Sequence, residues 1–160
     1  MQPPSPDDPG EGAPPGSASG PGGAAAQASV PEGFGPILRS SPFLDHIGPL
    51  YSRGRPPEMA VGFRVLPQHA NNRDGLHGGV LPAIADILAG YNIALSHDPP
   101  RRLVTTSIGL DYLGSAKIGD WIEARCSSRH EGSRLCVVHC EFTCDGRVIA
   151  RAIARFIPAG

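Results

Sequence analysis

One carboxylate, Asp86, stands nine residues after the His77 of His77-Gly78-Gly79, inside a stretch from Leu76 to Leu95 that is otherwise almost wholly apolar or small. A carboxylate so placed can take a proton from water, or attack a carbonyl carbon itself. Glycines at a helix start let other groups approach the backbone closely, and the N–H groups and dipole there carry positive potential. Such an end can hold an anion, or a carbonyl oxygen becoming one. Together the two features are stronger evidence of a site than either is alone. Separately each has a plain explanation: a tight turn for His-Gly-Gly, and a solvated or structurally satisfied side chain for the acid.

The element that must position them is a helix. Pro82 fits only a first turn, so the helix begins near Gly78-Gly79. Leu81, Ile84, Leu88, Tyr91 and Leu95 recur at helical steps and predict one apolar stripe facing a sheet. Asp86 lies nearly opposite that stripe. Around it at helical spacing stand Pro82, Ala83, Ala89, Gly90 and Ile93, none charged and most small. This second face is expected to be buried or closed by a partner, with room beside the acid at Gly90.

Gly78 and Asp86 are about 12 Å apart along such a helix, at about 1.5 Å per residue. One reacting carbon needs both groups within about 3 Å. Either only one of them is catalytic, or each site takes them from two different subunits.

Around the helix the pattern is β. Met59 to Leu66 alternates as a strand. After the helix come LVTTSIGLDYL, DWIEARCSSRH, SRLCVVHCEFTC and RVIARAIARFI, separated by short Gly-bearing connections. Cys144-Asp145-Gly146-Arg147 is a hairpin signal, and Arg129 to Ser133 a longer one. FGPILRSSPFLDHIGPLYSR holds short helical possibilities cut by prolines. The expected fold class is α+β: one strand, one long helix and four strands in a meander, with an antiparallel sheet packed on the helix.

Cys136, Cys140 and Cys144 fall four apart. On a strand they share a face with Val138 and Phe142, roughly 13 Å between neighbours. That spacing excludes a common metal ion and disulfides along the strand. They are expected to be buried thiols in a reducing compartment. The six histidines show no metal spacing, and no G-x-S-x-G occurs, so neither a metal, another cofactor nor a serine nucleophile is expected.

A net charge of -1 gives no electrostatic case for nucleic acid or an anionic membrane surface. Lys117 is the only lysine among 14 basic residues. Residues 1 to about 30 are rich in Pro, Gly, Ala and Ser, lack aromatics and predict a disordered tail before a domain at 31–160. That tail has no signal-peptide pattern, and no apolar run is long enough to span a bilayer. A cytoplasmic location is therefore expected.

The motif Asn71…Leu76-His77-Gly78-Gly79…Asp86 resembles the hotdog-fold acyl-CoA thioesterases of the phenylacetate-pathway (PaaI-like) type. The likeness continues through Leu103 to Leu113, Ser115 to Asp120, Asp145-Gly146 and the last strand, roughly Pro42 to Pro158. It implies a sheet wrapped around a central helix, acyl-CoA as the substrate, and a homodimer or homotetramer with sites shared across a two-fold interface. It gives Asp86 the role of catalytic base or nucleophile and Gly78 that of N–H donor to the thioester carbonyl. Asn71 lines the site, and Thr105 helps hold the water. His77 either orients the loop or thioester or is a structural histidine. Many relatives carry Gly where this chain has Asp74, which leaves Asn71 and Asn72 both as candidates. Asn72, Gly79 and Gly90 are expected to border the substrate. Two other functions fit the same fold: a non-catalytic acyl-CoA-binding module, which would not need Asp86, and a hydratase or dehydratase, whose Asp/His pair is not found here.

Overall fold

The computed structural model describes residues 29–159. The predicted disordered tail lies outside them, save for Ser29 and Val30. Ser29 is held by its carbonyl, which accepts a hydrogen bond from Arg64 at 2.9 Å.

Seven strands form one antiparallel sheet: β1 (Gly35–Pro36), β2 (Tyr51–Arg53), β3 (Ala60–Arg64), β4 (Leu103–Tyr112), β5 (Trp121–Glu131), β6 (Cys136–Cys144) and β7 (Arg147–Pro158). A short helix, α1 (Pro42–His46), precedes β2, and the long helix α2 (Val80–Ala94) separates β3 from β4. The order across the sheet is β1-β2-β3-β5-β6-β7-β4, with α2 packed against β3 through β7. This is the α+β, helix-in-sheet fold that the sequence predicts.

Two expectations about the strands need correction. The meander holds only for β5, β6 and β7. β4 does not neighbour β5 but crosses to the far edge and pairs with β7. The connection back from β4 is pinned as it passes the start of α2: Leu76 N–H donates to the Ala116 carbonyl at 2.8 Å, and Gly75 bridges Lys117. β1 and β2, not anticipated, extend the opposite edge. The strand expected from Met59 to Leu66 is shorter, Ala60–Arg64.

Local chemistry explains several of these elements. Ser41 caps α1, its hydroxyl accepting from Leu44 N–H at 3.3 Å, and Pro42 occupies the first turn, where a missing N–H costs nothing. Asp145 (φ 50°) and Gly146 (φ 74°) take the left-handed pair of a two-residue hairpin. Cys136, Cys140, Cys144, Val138 and Phe142 are all buried on one face of β6. The four cysteines are free thiols.

The stripe of α2 departs from expectation at its C-terminal half. Leu81, Ile84 and Leu88 are buried, but the next buried residue in line is Asn92, and Tyr91 and Leu95 are only partly covered. Asn92 is fully buried and fully used. Its Oδ1 accepts from Met59 N–H at 2.8 Å, and its Nδ2 donates to the Met59 and Leu88 carbonyls, each at 2.9 Å. It therefore does a strand neighbour's work for the chain entering β3, whose own N–H and C=O would otherwise be unpaired in the core. Ala89 and Ile93, on the second face that was expected to be buried or closed by a partner, are wholly buried within the chain itself. Each fully buried Leu, Ile or Phe contributes about 1.5–3 kcal/mol, so the helix is held by its core face and its other face is left for the site.

Candidate active site

Asp86 projects from the middle of α2, half-buried, into a groove of about 370 Å³. The walls are mainly apolar: Phe43 and Leu44 from α1, Ile87 and Tyr91 from α2, Leu103 from β4 and Phe156 from β7. Asp86 is the one charged side chain among the lining residues. Thr105 reaches it across the groove, the hydroxyl donating to Asp86 Oδ1 at 2.7 Å. Gly90, one turn further on, also lines the groove. A methyl there would stand 3.6 Å from the Phe156 ring, so its absence widens the space beside the acid. The α1 wall is braced by Tyr91, whose hydroxyl donates to the Arg39 carbonyl at 3.4 Å.

Thr105 faces the helix because of the register of β4. It stands opposite buried Phe156, and Ile108, Leu110 and Tyr112 stand opposite buried Ala154, Ala152 and Ala150. Strict alternation from Thr105 would turn those three away. A bulge between Thr105 and Ser107 inserts one residue and restores the phase. Thr106 Oγ1 donates to the Arg155 carbonyl at 3.1 Å within the bulge.

The other predicted residues gather at the start of α2, none of them in the lining of the Asp86 groove. Asn71 Oδ1 accepts from Arg73 N–H at 2.8 Å and Gly75 N–H at 3.3 Å, so half of its amide is used to shape its own loop. Asn72 is exposed. Asp74 takes φ 57°, a left-handed conformation that glycine reaches freely and Asp tolerates. His77 Nδ1 accepts from Gly79 N–H at 3.0 Å, so that donor is engaged within the chain. Tyr112 was not singled out from the sequence. Its hydroxyl donates to the Gly78 carbonyl at 2.7 Å. One chain thus brings together Asp86, Thr105 and Gly90, and separately His77, Gly78, Gly79 and Asn71.

The family model described as Thioesterase superfamily matches residues 75–150. A Pseudomonas aeruginosa protein named Putative esterase PA0474 is 36% identical over 129 residues, 80% of this chain and 96% of that protein. The chain belongs to the thioesterase superfamily.

The matched span of this thioesterase-superfamily chain includes both ends of the candidate site, from Gly78 to Tyr112. Solved structures show the same hotdog fold. The TT0310 protein of Thermus thermophilus is 24% identical, with 76% of this chain and all (100%) of that one covered and a TM-score of 0.67. A mutant of the phenylacetic acid degradation protein PaaI from the same organism is 23% identical, covering 74% of this chain and 100% of that one, at a TM-score of 0.67. A hypothetical thioesterase protein with coenzyme A from Streptococcus pneumoniae is 23% identical, covering 69% and 86%, at 0.62. Among the described residues of this superfamily member no three His, Cys, Asp or Glu side chains cluster as a metal site requires, and no helix is long and apolar enough to cross a membrane.

Proposed function

We propose that the protein is an acyl-CoA thioesterase that works as a homodimer or a higher assembly of such dimers, with each site drawing Asp86 and Thr105 from one chain and Gly78 from another. The observation that carries this is the Thr105–Asp86 hydrogen bond, 2.7 Å, at the only charged point of an apolar groove. A carboxylate oriented there by a hydroxyl can take the proton of a water that attacks the thioester carbon. The developing oxyanion accepts a hydrogen bond from the Gly78 N–H, the C–S bond breaks as the oxyanion collapses to the acid, and protonated Asp86 returns its proton to the leaving CoA thiolate. The apolar walls take the acyl group, which no hydrogen bonds need hold.

Three features support two chains per site. Within one chain Gly78 and Asp86 are separated by about 12 Å of helix. β4 is an edge strand, so one row of its backbone groups faces outward, ready to pair. Val104 on β4 and Leu113 just after it are exposed apolar residues, at 51% and 57% exposure. The related Streptococcus pneumoniae protein with coenzyme A favours the CoA ester as substrate.

Release of free CoA thiol from a panel of acyl-CoAs tests the reaction. Hydrolysis that disappears in Asp86→Asn is expected. Tight acyl-CoA binding without thiol release would instead identify a binding module.

A further inference from the structure

The backbone donors around the glycine turn can be accounted for one by one. Leu76 N–H donates to the Ala116 carbonyl and His77 N–H to the His69 carbonyl, both at 2.8 Å. Val80 N–H donates to the His77 carbonyl at 3.1 Å, and Gly79 N–H to His77 Nδ1 at 3.0 Å. Among the described residues, only Gly78 N–H in this turn has no acceptor. Glycine is the residue least able to hold a direction by itself, because its φ and ψ are the softest. A donor that must meet a developing oxyanion needs that direction held, since small misplacements of a reacting geometry are costly.

We propose that Tyr112 is the positioning residue that holds it, an inference that rests on the thioesterase reading above. The peptide between Gly78 and Gly79 is a rigid plate. Tyr112 grips its C=O at 2.7 Å while the His77 ring grips its N–H at 3.0 Å. The Gly78 N–H belongs to the neighbouring plate, whose His77 carbonyl accepts from Val80 N–H at 3.1 Å. Holding the Gly78–Gly79 plate as well restrains the soft φ and ψ of Gly78 through which that N–H would turn. Tyr112 also leans on the glycine itself. A Cβ at position 78 would lie 3.0 Å from the phenol oxygen and 3.1 Å from the ring carbon that bears it. A β-carbon there would push the phenol back by a few tenths of an ångström and so loosen the clamp. Because Tyr112 and Thr105 share one face of β4, the same strand braces Asp86 in the middle of α2 and Gly78 just before its start.

Tyr112→Phe removes only the hydroxyl and tests this. The expected result is kcat lowered about 10-fold with KM unchanged, a smaller loss than the roughly 100- to 1,000-fold that removing an oxyanion donor costs. The carbonyl carbon resonance of Gly78, read by NMR in selectively labelled protein, should shift in the same variant. An unmoved resonance means that the hydrogen bond does not form, and a moved resonance with unchanged kcat means that it does not position the donor; either overturns the proposal. Incorporating 3-fluorotyrosine at position 112 keeps ring and hydroxyl but strengthens the donor, and covers the case in which Tyr112→Phe destabilises the fold. Its Gly78 resonance and kcat should both change, and if neither does the clamp is wrong. Absence of thiol release from every acyl-CoA by the wild type would sink the thioesterase reading instead, and the Gly78 resonance would still report whether the clamp exists.

Discussion

Thr105 and Tyr112 stand on the same face of β4 although their odd spacing would place them on opposite faces of a regular strand. The bulge after Thr105 makes the difference. Without it, one of the two hydroxyls would turn away from α2, and either Asp86 or Gly78 would lose its hydrogen bond.

Asp86→Asn keeps the shape of the side chain and removes its basicity. Its kcat should fall about 100- to 10,000-fold with KM little changed and the melting temperature preserved. Steady-state kinetics beside a thermal melt decide it; a variant within about threefold of wild type removes Asp86 from the mechanism.

The shared site predicts complementation. Asp86→Ala and Gly78→Pro should each be inactive alone, the second because proline has no N–H to give the oxyanion. Random exchange of subunits makes about half the dimers mixed, and each mixed dimer has one intact site of its two. Activity should return to about one quarter of wild type. With exchange confirmed by mass-tagged chains, no recovery would place both residues in one subunit's site.

Gly90→Ala should raise the melting temperature, since alanine in a helix interior is favoured over glycine by about 1 kcal/mol and its methyl meets Phe156 at an ordinary 3.6 Å. It should also narrow the groove beside Asp86 and lower kcat/KM for the bulkiest acyl groups relative to acetyl-CoA. A uniform effect across the acyl panel would show that the acyl group does not pass Gly90.

Asn92→Leu substitutes a side chain of similar size that cannot serve Met59. Leaving buried backbone groups unpaired costs about 1–3 kcal/mol, so the urea midpoint should drop with the slope of the transition unchanged. A midpoint equal to that of wild type would mean that Met59 finds other partners.

The thiols predict a pH dependence. Cys126 and Cys140 are cross-strand partners. The hydrogen bond from Cys140 holds the Cys126 thiol below its ordinary range, with Arg129 and Asn92 assisting against burial. That same hydrogen bond, together with burial, pushes Cys140 up. Burial first, then the nearby Asp120 and Asp145, raises Cys144. Iodoacetamide on the native protein should therefore alkylate Cys126 and spare Cys140, as peptide mass spectrometry would read. For the raised thiols, stability is fully present below the unfolded value of 9.0 and lost as pH rises above it, because only the unfolded chain then releases the protons. Cys126 acts in the opposite sense. Its contribution is kept above its unfolded value of 9.0 and lost as pH falls through the depressed folded value. Above 9.0 the Cys126 contribution levels off while the raised thiols go on losing theirs, so the urea midpoint should fall between about pH 9 and about pH 10.

Local rules of chain chemistry were enough for much of this protein. Pro82 marked the start of α2, Asp145-Gly146 marked a hairpin, and the fourfold spacing of cysteines marked the buried face of β6. In each case the structure depends on residues within a few positions of one another. The lone acid on an uncharged helix face was legible for the same reason: the helical period alone sets which residues surround Asp86. The pairing of β4 with β7 was not legible, because strand order depends on contacts between segments far apart in the chain. The bulge at Thr106 was hidden as well, since one inserted residue reverses the alternation that a sequence pattern relies on. Tyr112 could not be matched to Gly78 without both of those facts. Nothing in the apolar pattern marked Asn92 for the core, because a polar side chain belongs there only where the tertiary structure leaves backbone groups, here those of Met59, for it to satisfy.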